Sequence, residues 1–484
     1  MHSALKKYSS LLLISLALLL FLVLFFFFGS KSYGVFILAF LVLIIFLSVL
    51  LNDYTKILFL LILTIPLSVP LSSNGFTILV ASEILIAFLA LFAVIHYGFT
   101  APINKKVLNH PVSILILIDL LWNFICAFLS DSPEVAFKRT IVSSVYILVY
   151  YFLLTELFSD FKNISKIYTL YTIGLIIPIV YTLYIHARLN FTVSGAALLS
   201  RPFYNDHTVY GAVLAFFIPY LIYFTVKKSN GIRSTLFYFI LTALFSVGLF
   251  FSYSRAAWLS LLISGLFFIF INTRYKLLLS SSLVIMALIV AIFFGESIYK
   301  TILESKAISN KEDVTEHVRS VTNVNSDVSN AERINRWRCA LRMFYDKPLT
   351  GFGPGTYQFY YGNYQLRTEM TRISTFKGDK GHSHSEYLNR LSETGAPGLL
   401  LFISIACSVF FIAWRVQKNI LEPSMNNIIK VSVLGLITFY VHAFFNGFIE
   451  TDKMAMPVYA AIAAIVAIDI QTRESASKII AESH

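Results

Sequence analysis

Long apolar runs alternate with short polar breaks along most of this 484-residue chain. A helix needs about 20 mainly apolar residues to cross the hydrocarbon core of a bilayer. Runs near that length predict about fourteen spans, at 10–28, 33–51, 56–71, 77–97, 111–130, 139–157, 166–186, 208–226, 234–252, 256–272, 277–294, 398–416, 428–446 and 456–471. We therefore expect an all-α fold, a polytopic bundle of about 12–14 transmembrane helices.

One long polar interval, residues 295–397, interrupts this pattern. It holds 14 of the 38 Lys and Arg residues and 12 of the 26 Asp and Glu residues. We expect three parts: residues 1–294 as the first part of the bundle, 295–397 as a loop domain with short helices, and 398–484 as the last membrane helices and a tail. The polar interval is the expected place for the chemistry.

Composition narrows the class of protein. Hydrophobic residues make up 57% of the chain and charged residues only 13%, which excludes an ordinary soluble domain. The formal charge is +12, but Lys and Arg lie in short groups between apolar runs, as cytoplasmic anchors do, and this excludes a nucleic-acid partner. If the spans alternate, six such groups fall on one side, and only Lys138 and Arg139 fall on the other. The positive-inside rule then predicts cytoplasmic termini and an external polar interval.

The polar interval contains two predicted helices. Ser329-x-x-Glu332 has the pattern of a capping box. After it, apolar residues recur at helical spacing and predict an amphipathic helix over 331–345 on the membrane surface: Ile334, Trp337, Leu341 and Phe344. The sequence KPLTGFGPG then predicts a turn, because proline and glycine end helices. A second capping box, Ser383-x-x-Glu386, predicts a short helix that ends near Gly395.

Two histidines mark the start of the second helix. A position in its first turn keeps the His384 imidazole neutral, because the positive end of a helix disfavours imidazolium. A neutral imidazole can accept a proton near neutral pH and act as a general base. His382 could share or replace that role. The alternative is a structural surface histidine.

Arginines provide candidate anion contacts. Arg333 and Arg336 are neighbours on the first helix, with Arg338 and Arg342 close by, and guanidinium forks suit phosphate oxygens. The alternative is a solvated or headgroup-binding basic face. Arg255 lies where two apolar runs meet, a position that suits either an anionic ligand or a snorkelling side chain.

A third polar cluster lies on the same outer side, in RPFYNDHTVYG. Its Arg201, Asp206 and His207 could join the site or could cap a helix and close a loop. The chain has no metal-ligand spacing in the external histidines and carboxylates, so no metal site is predicted. Charged or polar residues inside spans, such as Asp119 and His442, form no series.

These motifs together resemble the O-antigen ligase/polymerase family of bacterial envelope enzymes. The resemblance rests on R-x-x-x-W at Arg333, on KPLTGFGPGTY, on HSHSEYLNRLSETGAPGLLLF, on the Ser254-Arg255 pair and on NDHTVYGAVLAFFIP. It covers roughly 195–465. At Ser385 many family members carry Asn instead.

The resemblance implies a metal-independent glycosyl transfer, without a cofactor, on the periplasmic face of the bacterial inner membrane. The donor would be a glycan on undecaprenyl diphosphate, and membrane lipids would surround the bundle. Arg255 and Arg333 would bind the diphosphate, with Arg336 and Arg201 as helpers, and His384 would be the base. His382 and His207 would line the substrate site.

The function predicted first is an O-antigen ligase, which passes the glycan to lipid A–core. A polymerase, which passes it to another saccharide, and a protein O-glycosyltransferase carry the same motifs. The alternative of another class is a transporter of lipid-linked saccharides, which typically has paired half-chain symmetry and paired intramembrane charges.

Overall fold

The computed structural model describes residues 53–73, 76–80, 82–191, 200–227, 231–272, 324–371, 373–375, 381–419 and 422–482. Three of the predicted spans, 10–28, 33–51 and 277–294, lie outside the described residues, as does the front part of the polar interval. Apart from these gaps, the structure covers the bundle from residue 53 onward and the polar interval from residue 324 onward.

The described elements run in this order. The first group comprises α1 (Tyr54–Thr64), β1 (Val69–Ser73), β2 (Phe76–Val80), α2 (Ser82–Ile95), α3 (Lys105–Leu108), α4 (Pro111–Phe128), α5 (Pro133–Tyr146), α6 (Leu154–Leu157) and α7 (Lys162–Arg188). The second group comprises α8 (His207–Val226), α9 (Ile232–Phe250), α10 (Arg255–Asn272), α11 (Val324–Asp346), α12 (Tyr357–Tyr360), α13 (Glu386–Asn419), α14 (Pro423–His442) and α15 (Asp452–Glu482). A π-helical stretch, Ile147–Leu153, joins α5 to α6.

The structure confirms the polytopic, all-α architecture. Within the described ranges, nine helices are long and apolar enough to span a membrane. They are Ser82–Thr100, Pro111–Phe128, Pro133–Leu157, Lys162–Arg188, His207–Val226, Ile232–Phe250, Glu386–Lys418, Pro423–His442 and Asp452–Ser477. The chain is a multi-pass membrane protein.

The span predicted at 56–71 is wrong in its second half. Helix α1 ends at Thr64, and a 3₁₀ turn, Ile65–Leu67, carries Pro66. Strands β1 and β2 follow as an antiparallel hairpin, with Val69 opposite Val80. Proline removes a backbone donor and resists helix continuation, which explains why the helix stops before the run does. This hairpin is the one β element among the described residues.

Helix α15 lies at the centre of the described bundle. In its apolar window 83% of the residues are buried, compared with 22% in the window of α9. It contacts α13, α14 and the α5–α6 unit, while α8 packs against α9 and α14, and α14 against α10. The first turns of α8 and α10 and the last turn of α14 lie near one another.

The external helix α11 begins earlier than predicted and buries a different face. It starts at Val324, so Ser329 and Glu332 lie within the helix and do not form its capping box. Cys339, Ala340 and Met343 are fully buried, whereas Leu341 of the predicted apolar stripe is 39% exposed. The buried face also contains polar residues that are paired within the protein, and α11 packs on α13. Apolar spacing alone therefore selected the wrong face.

Helix α13 begins two residues after His384. The predicted cap Ser383 donates its hydroxyl to the Ser385 carbonyl (2.9 Å), and Ser385 lies next to the first helical residue, Glu386. The predicted break near Gly395 is confirmed, because Gly395 has φ 69° and ψ −171° and kinks the helix. The predicted KPLTGFGPG turn is also confirmed.

The turn and the kink interlock. The Ala396 N–H donates to the Pro348 carbonyl (2.8 Å), and the Gly353 N–H donates to the Glu393 carbonyl (2.8 Å). The Glu393 carboxylate accepts from the Gly355 N–H (2.9 Å) and from the Tyr357 N–H (3.0 Å). These contacts fix the 348–357 segment on the first part of α13.

Candidate functional site

The His382–His384 turn is held from several sides. His384 has a positive φ of 57°, and its backbone N–H donates to His382 Nδ1 (3.0 Å). The Ser383 N–H donates to Asn389 Oδ1 (2.8 Å), and Trp337 Nε1 donates to the His384 carbonyl (3.4 Å). A non-glycine residue with positive φ is unusual and occurs where the surrounding contacts over-determine the backbone.

Arg336 lies behind this turn. Its side chain is 5% exposed and pairs with Glu332, with 3.0 Å between Nε and Oε1. Its Nη1 donates to the His382 carbonyl (2.9 Å), and its Nη2 donates to the Tyr361 hydroxyl (3.3 Å). The guanidinium is thus already engaged by protein groups that connect α11 to the histidine turn.

Arg333, one turn earlier on α11, is placed differently. It is half-buried, and its Nε is buried with no hydrogen-bond partner among the described residues. Burial lowers the pKa of Arg333, the Asp206 carboxylate raises it, and the Arg255 charge lowers it. The structure therefore brings Arg333 near Asp206 and Arg255, although these residues are far apart in sequence.

Arg255 is the first residue of α10 and is exposed. Its charge repels that of Arg333. Two guanidinium groups that repel each other at the outer end of a helix form a place where a bound anion is favourable, and the positive end of the helix dipole adds to this.

The α8 segment supplies the third part of the site. The Asp206 carboxylate caps α8 by accepting from the Thr208 N–H (2.7 Å), and His207 Nδ1 lies 3.4 Å from Asp206 Oδ1. Buried Lys453 donates from Nζ to the Ser68 carbonyl (2.8 Å) and to the Phe203 carbonyl, which secures the loop before α8. Of the two alternatives that the sequence left open, the structure confirms the helix cap for Asp206; its role as a site residue stays a prediction.

Arg201 does not join this cluster in the described part of the structure. It is exposed and precedes the cis peptide bond to Pro202. Its predicted role stays a prediction.

The two histidines of the turn are poised in the neutral form. Burial lowers the pKa of His384 well below 6.5, and His382, Arg336 and Arg333 lower it further. Burial also lowers the pKa of His382 to about 4. The direction agrees with the sequence prediction of a neutral imidazole, but the main cause is burial and not the helix dipole.

His442 and Asn446 complete the cluster, and the sequence did not predict either. His442 ends α14 and is fully buried, and its Nε2 lies 3.0 Å from Asn446 Nδ2. A hydrogen bond with the Asn446 side chain raises the pKa of His384, against the larger lowering effects. The available signal was the ionisable His442 at the end of a predicted span, with Asn446 four residues later.

An apolar groove of about 650 Å³ lies beside α10. Side chains of α8, α9 and α10 line it, among them Ile218, Phe250, Trp258, Leu262 and Ile269. The groove begins within one helical turn of Arg255 along α10.

Among the residues described above, no group of three or more His, Cys, Asp and Glu side chains is arranged to hold a metal ion.

Comparison with protein families gives one match. Residues 240–403 match the model of a family described as O-antigen ligase. The match covers about a third of the chain and includes Arg255, Arg333 and the histidine turn. It confirms the resemblance seen in the sequence and supports the O-antigen ligase family. No curated protein matches the chain.

Proposed function

We propose, on the support of the family match, that this protein is a membrane glycosyltransferase of the O-antigen ligase or polymerase type, which acts on lipid-linked saccharides. Within that class, we propose that this protein moves a glycan from undecaprenyl diphosphate to a hydroxyl of lipid A–core. The observation that carries the proposal is the convergence of Arg255, Arg333 and His384, which come from three separate segments.

The arginines would bind the leaving group. When the glycosidic bond breaks, its electron pair passes to a diphosphate oxygen, and that oxygen gains negative charge. Fixed cations stabilise charge that develops in the transition state more than charge already present in the ground state. Arg333 supports this role because its buried Nε has no acceptor within the described ranges.

His384 would be the general base. The acceptor hydroxyl loses its proton to an imidazole nitrogen as its oxygen attacks the anomeric carbon. His384 Nδ1 is buried without a hydrogen-bond partner among the described residues, so no described protein group occupies its lone pair. His384 is neutral before the reaction, as this step requires.

Substrate binding would also strengthen the base. The Arg333 charge is one of the causes that lower the pKa of His384. A diphosphate bound to Arg333 offsets that charge, so it raises the pKa of His384. The base then becomes more effective when the donor is in place.

The groove beside α10 suits the polyprenyl tail. Its lining is apolar and lies on the same helix as Arg255, so a lipid diphosphate could place its head at the arginines and its tail in the groove.

The remaining predicted residues receive supporting roles. Arg336 would hold the His382–His384 turn, since its buried contacts are with Glu332, Tyr361 and the turn itself. His207 would line the donor side beside Asp206. The basic groups between spans support cytoplasmic termini and a periplasmic site in the bacterial inner membrane.

A deletion of the gene tests the proposed acceptor. For a ligase, the deletion strain should lose O-antigen-capped lipopolysaccharide and accumulate polymer on undecaprenyl diphosphate, both visible after gel separation and lipid extraction. A strain that caps its lipopolysaccharide with a single repeat would indicate a polymerase. Unchanged lipopolysaccharide with an unglycosylated protein would indicate a protein O-glycosyltransferase. Complementation by the intact chain is the control.

A further inference from the structure

Within the part of the chain that the structure describes, one ring nitrogen of His442 is buried without a partner that would explain its burial. Its side chain is fully buried at the outer end of α14, and its Nδ1 has no hydrogen-bond partner among the described residues. A buried polar group without a partner costs about 1–3 kcal/mol. Such a group at the edge of a substrate site indicates that a ligand supplies the missing partner.

Asn446 determines whether the proton of the neutral His442 ring lies on Nδ1. The Asn446 amide nitrogen lies 3.0 Å from His442 Nε2, and an amide nitrogen only donates. His442 Nε2 is therefore the acceptor, and the proton of the neutral ring lies on Nδ1. The amide orientation is supported from its other end, since the Asn446 side chain favours the protonated form of His384, as an acceptor oxygen does.

His442 lies near the anion site. His442 lies close enough to Arg333 and His207 for their charges to interact. On its other side the ring contacts Phe448 edge-on, with 5.0 Å between the ring centroids. The Nδ1–H of His442 and the Nε–H of Arg333 are thus two buried donors without acceptors in one region.

We propose that His442 is a further donor-binding residue, which gives its Nδ1–H to a diphosphate oxygen of the lipid-linked substrate beside Arg333. The inference rests on the proposed function. Asn446 is then a positioning residue between two imidazoles with different tasks: His442 donates to the donor substrate, and His384 accepts from the acceptor substrate.

A binding experiment tests this assignment apart from catalysis. The full chain in lipid nanodiscs binds radiolabelled undecaprenyl diphosphate without a glycan, and the affinity is compared with that of His442→Phe. This variant keeps the aromatic contact with Phe448 but removes the N–H. Because a hydrogen bond to a charged group contributes roughly 1.5–3 kcal/mol, the affinity should fall about tenfold or more. His442→Gln retains an N–H donor, so its affinity should lie between that of the wild-type protein and that of His442→Phe.

Asn446→Asp provides the second variant. A carboxylate only accepts, so His442 would donate from Nε2 and turn the Nδ1 lone pair toward the diphosphate. The affinity should fall at least as far as in His442→Phe, and this variant carries the test if His442→Phe does not fold. Wild-type affinity in both variants would overturn the role of His442. A loss of affinity that is seen only with a glycan-bearing donor would overturn it as well. Absence of binding by the wild-type protein would instead overturn the proposed function.

Discussion

At the scale of single residues, the environment of His384 balances two requirements. The imidazole must be neutral to accept a proton, and burial with the Arg333 and Arg336 charges keeps it neutral by lowering its pKa. The same charges would make it a weaker base in the free protein. The bound diphosphate resolves this conflict in the proposed mechanism, because its negative charge offsets that of Arg333.

The pH dependence of transfer follows from this balance. For the free protein, kcat/KM should stay constant as the pH falls through 6.5, the ordinary histidine value, and should decrease only at lower pH, where His384 becomes protonated. Arg333→Gln removes a charge that lowers this pKa, so the acidic limb should move to higher pH. An acidic limb above pH 6.5 in the wild-type protein, or one that does not move in Arg333→Gln, would contradict the base assignment.

Candidate site residues could be predicted from the sequence where their chemistry depends on residue type and local spacing. Arg255, Arg333 and His384 were predicted from the sequence, and the structure brings them together. Arg336 was grouped with Arg333 because both lie on one helix, yet only the structure distinguishes a guanidinium buried against Glu332 from one with a free buried donor.

At the scale of elements, the kink in α13 joins the external domain to the membrane bundle. Gly395 has a backbone conformation that is nearly exclusive to glycine. A Cβ at this position would lie 2.1 Å from the Leu349 carbonyl oxygen. The kink therefore depends on the absence of a side chain, and it positions the helix turn that follows His384.

Gly395→Ala should destabilise the protein. The backbone strain contributes about 1–3 kcal/mol and the clash with Leu349 adds to it. Gly98→Ala is the matched control, since a Cβ there has nothing within 4 Å, and its effect should remain below about 1 kcal/mol. Thermal unfolding in one detergent measures both. Equal midpoints for the two variants would show that the kink does not need glycine.

Helix positions were easier to predict than helix faces. Spans and breaks follow from hydropathy and from proline and glycine, and most of them are confirmed. The buried face of α11 was not predictable, because it carries polar residues. Glu332 and Arg336 pair with each other, and Asn335 and Arg336 also donate to Gln365 and to the His382 carbonyl in other segments. Paired charges can be buried, and apolar spacing does not reveal such pairs.

At the scale of the whole molecule, the candidate site forms only where several helices of the bundle meet. His207 and His442 are separated by more than 200 residues, and the packing of α8, α10 and α14 brings their segments together with α11 and the histidine turn. No local pattern encodes this proximity, so the contribution of α14 became visible only in the fold. The polar interval alone therefore does not form the site.

The most direct test of the account is glycan transfer by the purified chain from a glycan on undecaprenyl diphosphate to lipid A–core. The wild-type protein should form the product, and His384→Ala should lower kcat by roughly 10²–10⁴-fold while donor binding persists. His96→Ala is the control, because His96 lies at the opposite end of a spanning helix and contacts Glu156. Near-wild-type transfer by a folded His384→Ala protein would contradict the central claim.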